Sequence, residues 1–297
     1  RGEFHNYSQR PPNRVPRRFS FRCVTMLDSW RKPPHAERLA LLLIVGGGLL
    51  LRLWGLGYKG LGYDEAATAL MARAPAAAIL DFHWRAAFEH PPLWQLTMRA
   101  WSALFGQSEA ALRLLPALAG ALAVPLTWYW LRLLWPRAAA LRLLTAALAA
   151  TSPTLVIYSQ EARMYSLVVL LALLSLCLLV GVVYAHGPLA RWRANWTMIC
   201  LFVVINWLLL GYHYYSLLLV GCEALFLLLL LLRARAWRLA PWWLGAVAAS
   251  LLPLALWMAF SPGFHATFAA ITGGIGQGQG PSAAAFFDGL WRDLSFG

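Results

Sequence analysis

Pro91-Pro92-Leu93-Trp94-Gln95-Leu96-Thr97-Met98-Arg99-Ala100-Trp101-Ser102-Ala103-Leu104-Phe105-Gly106 is the stretch on which the fold turns. A helix needs about 20 mostly apolar residues to cross a bilayer. This stretch falls short of that, and Gln95, Arg99 and Ser102 recur along it at helical spacing on one face. Its two prolines suit the first turn of a helix, where a backbone N–H has no intrahelical partner. It reads as an amphipathic helix lying in the membrane interface.

Working outward, apolar runs at about residues 38–57, 112–134, 138–157, 164–185, 196–212, 214–232 and 240–260 have the length of membrane spans. If 91–106 does not cross, Arg31/Lys32/Arg38, Arg132/Arg137/Arg142, Arg191/Arg193 and Arg233/Arg235/Arg238 all fall on one side. That is the positive-inside pattern. If it does cross, the three later clusters move outside while the N-terminus stays in, against the rule. The expected fold class is therefore an all-α membrane protein of about seven spans, in a cell (inner) membrane, with a cytoplasmic N-terminus.

The composition agrees. Hydrophobic residues make up 60% of the 297 and charged ones 12%, against an apolar share of about 45–50% in soluble domains. The formal charge of +13 needs no nucleic acid, because most arginines sit where topology signals belong. Cys23, Cys177, Cys200 and Cys222 have no Cys-x-x-Cys spacing, and three of them lie inside apolar runs, so they read as small core residues. Residues 1–37 are expected to be a disordered basic cytoplasmic tail, with Met26 a natural start and no cleavable signal. The expected membrane module covers 38–260, with an external loop at 58–111. Residues 261–297 are an external Gly-rich segment, and because Phe296-Gly297 closes no element the chain is expected to be a fragment of something longer.

With seven spans the polar residues converge outside. Asp64, Glu65, Asp81 and Glu89 share one external loop, joined there by Glu161, Arg163 and Tyr212-His213-Tyr214-Tyr215. Asp64-Glu65 has two readings: a general base at the water–lipid boundary, or acids favouring the N-terminus of the helix that Ala66 begins. Glu89-His90 is either a solvated lead-in to the proline-led helix or part of a divalent-metal or phosphate site. Tyr158-Ser159-Gln160-Glu161-Ala162-Arg163-Met164-Tyr165 is either a capped loop with an Arg–Glu pair or a site in which Arg163 forks onto a phosphate and Glu161 joins Glu89 at a cation. Arg113 snorkels or pairs with a lipid phosphate. His213 among tyrosines is an interface anchor or a ligand. Glu223, the acid deep within a span, hydrogen-bonds a neighbouring helix or serves a relay.

These residues together resemble a known family, the dolichyl-phosphate-mannose protein mannosyltransferases with their bacterial relatives, the lipid A aminoarabinose transferases among them. The matching pieces are Leu51-Arg52-Leu53, Tyr63-Asp64-Glu65-Ala66, His90-Pro91-Pro92-Leu93, Ala111-Leu112-Arg113-Leu114-Leu115-Pro116 and the run Tyr158 to Tyr165, in that order over roughly 49–220. The resemblance implies a GT-C-type helical bundle with two interfacial helices in its first external loop. It implies an inverting transfer of a sugar from a polyprenyl-phosphate donor at the non-cytoplasmic face. Asp64, with Glu65 beside it, takes the catalytic position; Arg113 and Arg163 take the donor phosphate; His90, Tyr165 and His213 contact substrate; Glu89 and Glu161 stand at a divalent-metal site. Trp94-Gln95 follows His90-Pro91-Pro92-Leu93 where the protein mannosyltransferases have Gly-Lys, which leaves the acceptor open among lipid, glycan and protein. The rival readings are a lipid or sugar transporter, which places its site near the midplane of repeated halves, and a membrane scaffold.

Overall fold

The computed structural model describes residues 33–86, 90–184, 196–235 and 240–266, together with 237, 268 and 269. Of the basic tail expected at 1–37, residues 1–32 lie outside them, as do Glu89, Arg191/Arg193, Arg238 and the Gly-rich run at 273–280, whereas residues 35–37 are not disordered but open the first helix, because Glu37 finds buried partners. All regular structure among the described residues is helical: α1 (His35–Leu53), α2 (Tyr63–Met71), α3 (Ala76–Arg85), α4 (Leu93–Phe105), α5 (Glu109–Leu134), α6 (Ala139–Thr151), α7 (Pro153–Ser159), α8 (Tyr165–Tyr184), α9 (Trp196–Tyr212), α10 (Ser216–Ala234) and α11 (Ala240–Phe260).

Helices α5, α10 and α11 are long and apolar enough to cross a membrane, and α6 with α7 makes a fourth if that bent pair is one span. Each expected apolar run coincides with one of the helices or with that pair. The outside of the bundle is apolar as well: Leu42 and Leu43 on α1, Leu148 on α6, Leu218 on α10 and Phe260 on α11 are all exposed. Water tolerates such a surface poorly, and lipid solvates it.

Helix α5 is the hub, packing against α1, α4, α6, α7 and α8. The α6–α7 break of 52° follows from Pro153, which has no N–H to return to the carbonyl of Ala149. Arg52 from α1 takes over that duty. Its Nη2 donates to Ala149 O (3.0 Å) and its Nη1 to Ala150 O (2.9 Å), while its Nε donates to Ser159 Oγ (3.2 Å). Gly120 of α5 makes room for this junction, since a Cβ there would stand 2.0 Å from Ser159 Oγ. At the far end of α1, buried Glu37 accepts from Arg142 Nε (3.0 Å) and Nη2 (2.6 Å) and from Trp128 Nε1 (3.0 Å). Helix α1 is thus tied to α5, α6 and α7 through polar groups that lipid would not satisfy.

Helix α4 has 13 residues, about 20 Å at 1.5 Å per residue, against a hydrocarbon core of about 30 Å. Its polar stripe turns inward. Gln95 and Ser102 are buried, and Arg99 Nη1 donates to Ala74 O (2.5 Å). The outer side carries Leu104 and Phe105.

Candidate functional site

Asp64 and Glu65 stand at the N-terminus of α2, where adjacent side chains point about 100° apart, and the helix sends them to different fates. Glu65 is buried. Its Oε1 accepts from Arg113 Nε (2.8 Å) and Ala162 N–H (2.8 Å), its Oε2 from Arg113 Nη2 (2.7 Å) and Gly62 N–H (2.9 Å). Burial pushes its pKa up, but those bonds outweigh burial and hold the carboxyl below its ordinary value. The Gly62 bond is half a capping box, glycine having no side chain to return the other half.

Arg113 is equally committed. Besides Glu65 it donates through Nη1 to Leu56 O and Lys59 O (both 2.8 Å) and through Nη2 to Gly60 O (2.9 Å). A guanidinium has five N–H donors, and these bonds use all of them. In this arrangement Arg113 has no donor left for a phosphate, and Glu65 has both oxygens doubly engaged. The two pin the 56–60 loop, α2 and the 160–164 turn onto α5.

Asp64 is open, its side chain 60% exposed, with Arg163 Nη1 3.3 Å from Oδ2. Arg163 rises from the turn between α7 and α8. Its Nη2 donates to His90 Nε2 and to Tyr165 Oη, both at 3.3 Å. Its Nε–H is buried with no hydrogen bond among the described residues. The His90 and His213 rings lie 4.8 Å apart, Tyr165 and His213 6.0 Å, and Tyr215 stacks on His213 at 5.0 Å. Tyr215 N–H donates to His213 Nδ1 (3.1 Å), so the neutral ring carries its proton on Nε2. Burial and then the Arg163 charge lower the His213 pKa. Four chain segments therefore bring Asp64, His90, Arg163, Tyr165 and His213 into one cluster.

Two clefts flank it. One, about 230 Å³ and apolar, runs between α4, α9 and α11 past Pro91, Leu93, Trp207, Gly211, Pro253 and Trp257. It begins one residue from His90 and two from His213. A Cβ on Gly211 would meet Leu93 Cδ2 at 2.8 Å, so glycine allows α4 and α9 to approach closely. The other, about 1000 Å³, is lined by Trp54, Tyr58, Lys59, Ile157, Gln160 and Glu161 among others, with Glu65 and Arg113 on its wall. Glu161 has its pKa raised, by burial first and then by the Glu65 charge, with Arg163 and Arg113 pulling the other way.

No group of three or more His, Cys, Asp or Glu side chains among the described residues is placed to hold a metal ion; Glu89, the expected partner of Glu161, lies outside them. Sequence reasoning missed Gln160, whose Nε2 donates to Leu51 O and Trp54 O (both 2.9 Å) and so caps α1. Its place in a polar run facing a helix C-terminus was the available signal.

Chemically, the cluster offers a loosely held guanidinium, an imidazole N–H and a phenol beside an exposed carboxylate. Fold and site together define a chain whose described regular structure is all helical, with membrane-length helices and a mixed-charge polar cluster where the start of α2 and the lead-in to α4 meet the α7–α8 and α9–α10 turns. Comparison with protein-family models, curated proteins and solved structures finds no match for the chain.

Proposed function

We propose that the chain is a membrane glycosyltransferase of GT-C type, with seven spans formed by α1, α5, α6–α7, α8, α9, α10 and α11. It transfers a sugar with inversion from a polyprenyl-phosphate donor to an acceptor at the non-cytoplasmic face. The observation that carries this reading is the contrast between the two arginines. Arg163 is held by three contacts of 3.3 Å, which phosphate oxygens replace at shorter and stronger charge-assisted distances. Arg113, saturated by Glu65 and three carbonyls, positions α2.

The donor phosphate sits on Arg163, with His213 Nε2–H and the Tyr165 hydroxyl as further donors. Its isoprenyl chain follows the apolar cleft from Pro91 to Trp257. The acceptor enters through the larger cleft on the Glu65 side. Asp64 takes the acceptor hydroxyl proton as that oxygen bonds to the anomeric carbon. The bond from that carbon to phosphate breaks, its electron pair leaving on polyprenyl phosphate, where Arg163 meets the added charge. A single displacement inverts the anomeric centre.

The test is incubation of the full-length protein in nanodiscs with polyprenyl-phosphate sugars, with and without divalent cation, measuring released polyprenyl phosphate. Asp64→Asn should abolish release while the protein still inserts; substantial turnover by that variant removes Asp64 as the base. A flippase is the rival, favoured by the buried acid Glu223. Vectorial movement of unchanged lipid in liposomes would establish it instead.

A further inference from the structure

Away from the Asp64–Arg163 cluster, α8, α9 and α10 each contribute one polar side chain to an apolar interior: Ser175, Asn206 and Glu223, at 0%, 0% and 1% exposure. Ser175 Oγ donates to Asn206 Oδ1 at 3.4 Å. The Glu223 carboxyl lies against both side chains, yet neither of its oxygens nor Asn206 Nδ2 has a hydrogen bond of full geometry among the described residues.

Counting protons says what is missing. An amide oxygen only accepts, so Ser175 uses its one proton on Asn206 and turns a lone pair to Glu223. Asn206 Nδ2 has N–H groups in need of an acceptor. A carboxylate offers acceptors alone and leaves Ser175 facing negative charge. A carboxylic acid offers one of each, accepting from Asn206 and donating to Ser175, and so closes a ring of three bonds across three helices.

Among the described residues no counter-charge stands in for that proton. The titratable side chains of the helices packed around Glu223 are Tyr165, Cys177 and Tyr184 on α8, Cys200 and Tyr212 on α9, and Cys222 and Arg233 on α10, while α11 has none. Arg233 is ten residues along α10, about 15 Å away at 1.5 Å per residue. An ionised carboxylate buried so far from the cations of these helices is strongly disfavoured.

We propose that Ser175, Asn206 and Glu223 form a proton-binding site inside the membrane bundle, with the bound proton on Glu223. The site clips α9 to α8 and α10. Asn206 lies seven residues before His213, about two helical turns, so the site braces the hairpin that presents His213. It stands independently of the transfer reading.

Infrared spectroscopy of the full-length protein in nanodiscs near neutral pH is the direct test. The wild type should show the carbonyl stretch of a protonated carboxylic acid that E223Q lacks. The band should shift in N206A, which removes one partner but keeps the acid. Identical wild-type and E223Q spectra in this region would overturn the proposal, as would loss of the band on adding sodium ions, which would make the site a cation site. Thermal unfolding gives a second readout. The folded chain holds a proton that the unfolded chain in water has lost, so wild-type stability should fall as pH rises, while E223Q, a neutral isostere able to close the same ring, should not follow that loss. Parallel pH curves for the two would sink the idea.

Discussion

Arg113 and Arg163 carry the same charge and lie on either side of Asp64-Glu65, but five bonds of 2.7–2.9 Å hold one and contacts of 3.3 Å hold the other. Removing one partner of a buried ion pair costs about 3–5 kcal/mol. Arg113→Ala should therefore lower the unfolding temperature in detergent markedly, and Arg163→Ala should instead weaken binding of polyprenyl phosphate with little change in unfolding. The reverse pattern would exchange their roles. Acid should act through Glu65: its lowered folded pKa means its contribution is complete above the ordinary carboxylate range and is lost as pH falls through the folded value. Wild type should thus lose more stability on acidification than Glu65→Gln, measured by thermal unfolding across pH. At this scale the meeting of Asp64, His90, Arg163, Tyr165 and His213 was legible, because polar residues at the ends of apolar runs must come together once the runs bundle. The division of labour between neighbours was not. Which of Asp64 and Glu65 faces inward depends on the rotation of α2, set by the 56–60 loop folding over Arg113, and no local pattern records that.

Pro153 shapes an element, and its effect reaches a different one. By orphaning a carbonyl at the end of α6 it creates the acceptors that Arg52 fills. Arg52→Ala should destabilise the bundle by roughly 1–3 kcal/mol for each carbonyl left unsatisfied. Adding Pro153→Ala, which restores an N–H to Ala149 O, should recover part of that loss in a double-mutant unfolding series. Purely additive effects would show that Arg52 acts otherwise. The proline was visible within the apolar run 138–157, but the arginine that answers the carbonyl of Ala149 lies 97 residues upstream of that carbonyl, beyond the reach of any periodicity. Helix α4 teaches the complementary lesson: its length and prolines were read from spacing, whereas the inward turn of Gln95 and Ser102 depends on the helices it packs against.

For the whole molecule the testable quantity is topology. In a chain stripped of its native cysteines, Lys59→Cys should react with a membrane-impermeant thiol reagent from outside, and Arg137→Cys only after permeabilisation. Labelling of Arg137→Cys from outside would take the α2 and α7–α8 residues to opposite conclusions and dismantle the transfer reading. The helical class and the positions of the runs were legible from hydropathy. The interior chemistry of α1 was not, because Glu37 and Arg52 read as charges at the ends of a span until their partners are seen. Those partners have a consequence for how the protein is made. Glu37 waits for Arg142, 105 residues later in the chain, and Arg52 for Ala150, 98 residues later. At about 5–20 residues per second, α1 waits roughly 5–20 s for those partners to be made. Folding must therefore keep a nascent α1 short of its final packing until α6 arrives to complete it.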